Sequence, residues 1–311
     1  MALDNAKISG QADQLFLPSL NGPEEFPSFP QLDRANFTKS LAQMYIASPI
    51  LKNQAVPVPQ DTALALVNDK TGEVITTVGS QHCVVQNQVL ADAVEETLDE
   101  FLPKSWKVTL EEGVSNRGGF TSLTYRIEDY SAEIRQSKGI LTTLTMQLHV
   151  VNPTTRAVTA YTSFKDASCD NNVVFTPFKA TSPHLDSFST APLREYIETV
   201  LNKAPDYITL LQKYAQTDLS VTKFEKVLEA QPFISAGVRG AILNQFRAVE
   251  APDRGANVFA GLSSLAAWAT HNEGNFYVRN SANSDNEAES LFARAEKIMR
   301  VTGSAEWGAL V

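Results

Sequence analysis

The stretch from Trp106 to Phe175 constrains the fold most, because its side chains alternate as those of strands do. Ile140–Val150 shows this best, with Leu141, Leu144, Met146, Leu148 and Val150 interleaved with Thr143 and Thr145. A period of two places neighbouring side chains on opposite faces of a strand. Asn152-Pro153-Thr154-Thr155 reads as a turn, and Ala157–Phe164 returns as the next strand. Trp106–Leu110 and Phe120–Arg126 have β composition, with Gly118-Gly119 between them as a hairpin tip, and Val173–Phe178 adds one more strand. Consecutive strands joined by short turns make a mostly antiparallel sheet.

Helical spacing takes over afterwards. Pro192–Asn202, Pro205–Tyr214, Val221–Glu229, Arg239–Val249, Asn257–His271 and Glu287–Val301 carry apolar residues three and four apart. A central antiparallel sheet followed by a helical C-terminal half predicts an α+β protein. Ahead of the sheet, Asn87–Phe101 is an amphipathic helix with Asn87 as a candidate N-cap. Thr62–Asn68 and Glu73–Val78 form a hairpin over the turn Asp69-Lys70-Thr71-Gly72.

The first sixty residues carry Pro18, Pro23, Pro27, Pro30, Pro49, Pro57 and Pro59, which break long elements. Asn36–Ile46 reads as one short helix on the spacing of Phe37, Leu41, Met44 and Tyr45. The expected organisation is a proline-rich arm over residues 1–60, an α+β domain over 61–280, and an amphipathic helix with a tail over 281–311. The last piece places Leu291, Phe292, Ala295, Ile298 and Met299 on one face, and the tail ends Trp307-Gly308-Ala309-Leu310-Val311. Docking of that face into a second copy or another protein is weighed against closure of the chain's own core.

With 43% hydrophobic and 20% charged residues, the 311-residue chain has an ordinary globular balance. No apolar run approaches the length of a membrane span, and Met1–Gly10 lacks the basic start and apolar run of a signal peptide. No membrane partner and a cytoplasmic location are therefore expected. Two cysteines, Cys83 and Cys169, suit a reducing compartment. The net charge of −9 is uneven: residues 1–100 hold 5 Lys and Arg against 13 Asp and Glu, while residues 101–213 hold 12 against 11. An acidic chain has no general attraction to duplex DNA, so any nucleic-acid groove belongs in the middle third.

Motifs for catalysis are weak. No glycine-rich phosphate loop, dinucleotide fingerprint or G-x-S-x-G elbow occurs. His82, His149, His184 and His271 show no metal-ligand spacing, and His184 with Asp186 is a common loop pairing. Asp166, Cys169 and Asp170 cluster beside Lys165, which leaves a metal-dependent nuclease built on Asp166 and Asp170 as an alternative. No enzyme activity and no cofactor are expected from these residues.

Cations and aromatic rings interleave in the middle third. Lys104, Trp106 and Lys107 share one segment, and Arg117, Phe120, Tyr125 and Arg126 flank Gly118-Gly119. Arg135 and Lys138 precede the strand at Ile140, and Lys165 and Lys179 follow with Phe175 and Phe178. Single-stranded nucleic acid is held in this way, by cations along the phosphates and rings against unpaired bases. Burial of the rings in the core and solvation of the cations is the competing reading.

The segment Val78-Gly79-Ser80-Gln81-His82-Cys83-Val84-Val85-Gln86-Asn87, with Cys169-Asp170-Asn171 and with Trp268 and His271, resembles a phage and plasmid domain family of unknown function. Size, acidic balance and phage-like character also resemble a narrower group, the single-stranded-DNA-binding RNA polymerase cofactors of lytic phages that package a virion RNA polymerase. That resemblance implies a fold distinct from the OB barrel and a protein acting in the cytoplasm of an infected bacterial host. It further implies binding of unpaired promoter DNA and recruitment of a phage RNA polymerase to middle promoters. A protein–protein interaction module without nucleic-acid binding is the third expectation.

Overall fold

The computed structural model describes residues 37–47, 55–68, 74–79, 81–167, 172–185, 187–270 and 287–311. The first described element is a strand, β1 (Phe37–Ala47), where spacing suggested a helix. It pairs antiparallel with β2 (Ala55–Asn68), from Phe37 opposite Asn68 to Ala47 opposite Ala55. Eleven residues with apolar side chains at mixed spacing satisfy either period, and a long partner strand decides the matter. β3 (Val74–Gly79) completes a three-stranded sheet on the other side of β2.

Pro57 and Pro59 sit inside β2, which runs unbroken across residues 60 and 61. β3 pairs with β2 only from Ala63 onward, so the proline stretch has β1 as its sole described neighbour. Residues two apart aim their amide positions to the same side, so both prolines can present the missing donor to the open edge.

The main sheet holds β4 (Val108–Ser115), β5 (Phe120–Arg135), β6 (Leu141–Pro153), β7 (Val158–Asp166) and β8 (Asn172–Ser182). Their spatial order is their chain order, and every neighbouring pair is antiparallel. This open meander is the α+β sheet expected from the alternation, and its strand order differs from the Greek-key barrel of the OB fold.

Register divides its side chains into two faces. Leu123, Tyr125 and Ile127 of β5 stand beside Val150, Leu148 and Met146 of β6. This inner face is the apolar core, under α1 (Asn87–Phe101) and α2 (Ala191–Gln216). Asn87 ties α1 to the sheet instead of capping it: its amide donates to Thr121 at 3.0 Å and its oxygen accepts from Asn152 at 2.7 Å.

α2 is one continuous helix through Pro205, where two were expected. Leu193, Tyr196, Ile197, Val200, Ala204, Tyr207 and Leu211 keep a single buried stripe across the proline. Continuous packing outweighs the lost hydrogen bond and ring clash.

The remaining α-helices among the described residues are α3 (Val221–Glu229), α4 (Ala236–Gln245), α5 (Ala251–Arg254), α6 (Val258–Thr270), α7 (Glu287–Thr302) and α8 (Ala305–Gly308). Ser220 and Ser235 cap α3 and α4 through their hydroxyls, and a π turn, Phe246–Glu250, links α4 to α5. α6 is buried at every position from Val258 to Ala269, as a helix apolar all round must be.

α7 and α8 pack into this core, the closure weighed against a partner-docking handle. Phe292, Ala295, Ile298 and Met299 are all buried, and Trp307 is 0% exposed with its indole N–H donating to Tyr214 Oη at 3.2 Å. Most of their apolar face is thus covered within the chain, while Leu291 stays partly exposed beside the sheet. The sheet's outer face and the helical half both needed a cover, and this segment supplies it.

Candidate binding site

Polar residues alternate with the core residues of the main sheet and gather on its outer face. Thr124 of β5 stands opposite His149 of β6, and His149 opposite Tyr161 of β7. Arg126, Gln147 and Ser163 form the adjacent cross-strand row. α7 covers part of this face: Phe292 lies 5.8 Å from the Phe120 ring and 5.7 Å from Tyr161. Gly113 lets the helix approach, since a Cβ there would stand 3.1 Å from that of Ala288.

Beside α7 the face stays open as a 220 Å³ cleft. Arg126, Thr124, Glu111 and Lys165 line it from the sheet, Leu291 and Phe292 from the helix, with Gln147, His149 and Tyr161 among the remaining lining.

A hydrogen-bond chain sets these groups. Ser163 Oγ donates to Gln147 Oε1 at 3.3 Å and meets His149 Nε2 at 2.7 Å. The serine oxygen must then accept from Nε2–H, which leaves Nδ1 to accept from Thr124 Oγ1 at 3.0 Å. Burial lowers the His149 pKa to about 3, so the ring is neutral and one tautomer suffices. His149 also stacks on Tyr161 at 4.5 Å, and burial, aided by Glu296, pushes the Tyr161 hydroxyl well above its ordinary value.

The consequence is a fixed carboxamide. Gln147 is 2% exposed, its oxygen is engaged, and its amino group meets no hydrogen-bond partner among the described residues. Arg126 Nη2 pairs with Glu111 at 2.7 Å and Nη1 lies 3.8 Å from Glu128, while its buried Nε has no hydrogen-bond partner among the described residues. The cleft therefore combines side-chain donors with two cations, Arg126 and Lys165, and two carboxylates, Glu111 and Glu112, against one apolar wall.

The expected cation and ring set is split into separate places. Arg126, Lys165 and Lys179 share the outer face by register, with Lys179 3.7 Å from Glu296. Lys104, exposed and ion-paired with Asp99, lies beyond α1 with Trp106 and the exposed Lys107. Arg117 falls in the turn Asn116–Gly118. Arg135 and Lys138 close the far hairpin, through the Arg135 backbone to Gln212 and Lys138 Nζ to the Pro252 carbonyl.

The rings do not form a stacking platform: Phe120 and Tyr125 are each 1% exposed, and Trp106 is half-buried edge-on to Tyr130. Aromatic residues on a half-buried sheet gain more from the core than from solvent. Sequence reasoning passed over Thr124, Gln147 and Ser163, and weighed His149 only as a metal ligand. Their signal was present as polar residues at every second position, in phase with Arg126.

Asp166 is 0% exposed and forms an ion pair of 2.7 Å with Arg254, which also holds Glu250 at 2.8 Å and donates to Thr142. A carboxylate held this way anchors the end of β7 to the helical half; Cys169 and Asp170 of the same candidate cluster lie outside the described residues. Among the described residues no group of three or more His, Cys, Asp or Glu side chains is placed to hold a metal, and no helix is long and apolar enough to cross a membrane. Comparison with protein-family models, curated proteins and solved structures finds no match.

Proposed function

We propose that this protein binds single-stranded nucleic acid through the outer-face cleft and serves as a cofactor for a phage RNA polymerase. The observation that carries the binding is the fixed Gln147 carboxamide in a cleft that Arg126 and Lys165 also line, with Leu291 and Phe292 as an apolar wall. A donor floor suits the carbonyl and ring-nitrogen acceptors of a base, and flanking cations suit its phosphates. A cleft of 220 Å³ has room for a base-sized group. Paired bases in a duplex cannot enter it, so discrimination comes from access to the base edge. The polymerase role rests on the resemblance of the sequence.

Fluorescence anisotropy with a labelled oligothymidine, its duplex and an RNA of equal length tests the reading. Single strand is expected to bind more tightly than duplex. The double substitution Arg126→Ala with Lys165→Ala should weaken binding and reduce the slope of log affinity against log salt by about 0.7 per lost phosphate contact. Gln147→Ala should weaken binding with the slope unchanged. Equal or tighter duplex binding, or a folded triple variant that binds normally, overturns the proposal.

A further inference from the structure

A second cavity of 320 Å³ opens beyond the inner face of the sheet, between the C-terminal turns of α1 and strands β4 and β5. Leu98, Leu110 and Tyr125 line its apolar part, and the half-buried Trp106 forms a wall. Glu95 and Asp99 also line it; four residues apart on α1, they bring two carboxylates to one side. The Tyr125 hydroxyl reaches Glu95 Oε1 only at 3.4 Å, a weak use of that carboxylate.

Lys104 shows what the mouth accepts. Its ammonium ion-pairs with the Asp99 carboxylate and donates to the Asp99 carbonyl at 3.1 Å, yet the side chain remains 72% exposed. It satisfies the charge without filling the cavity behind.

Two carboxylates beside an indole and an alkyl floor recognise a cation carried on a hydrocarbon stem. The head takes charge-assisted hydrogen bonds and the Trp106 face, while the stem covers the leucines. The same carboxylates repel phosphate. We propose that this cavity binds a basic side chain presented by a partner polypeptide, with Lys104 as an internal stand-in that must move aside. The cavity and the outer-face cleft lie on opposite sides of the sheet, so each proposal can fail without the other.

The test uses the full chain and an acetylated, amidated Gly-Arg-Gly peptide, read by the Trp106 indole N–H resonance, assigned with Trp106→Phe. A saturable shift is expected, absent with the citrulline peptide that keeps the stem and loses the charge. Asp99→Asn should weaken binding roughly tenfold. Lys104→Met should tighten it, because Asp99 loses its competitor; a merely structural role for Lys104 predicts no gain. No saturable shift, an equal shift with the citrulline peptide, weaker binding by Lys104→Met, or tighter binding of free agmatine than of the peptide would each overturn the proposal.

Discussion

His149 concentrates the residue-scale physics of the outer face. It is buried among Thr124, Ser163 and Tyr161, and burial holds its pKa at about 3 against 6.5 for a free imidazole. The unfolded chain therefore takes up a proton that the folded chain refuses. Stability from this residue is complete above pH 6.5 and falls as the pH drops toward 3, by on the order of 1 kcal/mol per pH unit. Urea unfolding at several pH values in this window should show a steeper acid loss for the native chain than for His149→Gln. Nitrogen-15 NMR of the native ring should show the neutral Nε2–H tautomer at about pH 5, two units above its folded pKa. A protonated ring at that pH rules this out.

Among the elements, α2 carries a cost that its packing hides. Pro205 lies inside the helix, and the buried stripe from Leu193 to Tyr214 holds the helix together across it. Pro205→Ala restores a backbone donor to a helix that already exists, and should raise stability by about 1–3 kcal/mol. Chemical denaturation reads the change directly, and an unchanged or lower midpoint would show that the proline fits a local distortion the alanine cannot use.

At the scale of the whole molecule, the chain's end completes its core. Trp307 is fully buried against Tyr214 and Phe224, from α2 and α3. Trp307→Ala should lower stability by about 3–5 kcal/mol, and truncation after Asn280 should yield insoluble or unfolded protein. A truncated chain with native thermal stability would restore the partner-handle reading. The buried Arg254–Asp166–Glu250 cluster makes a similar long tie, joining the end of β7 to α5 and its preceding π turn.

Local pattern by itself determined the antiparallel sheet, the amphipathic helix ahead of it and most of the helical half. A period of two or of 3.6 is written into neighbouring residues and needs no distant partner. It left three matters to tertiary structure. The stretch Phe37–Ala47 satisfied both periods, and pairing with β2 made it a strand. Phe120, Tyr125 and Trp106 had the composition of a stacking surface, but register and the cover of α1 and α7 turned them inward. The cleft joins β5, β6, β7 and α7, whose polar groups stand far apart in the chain, so only strand register could bring Arg126, Gln147 and Lys165 to one side of the sheet.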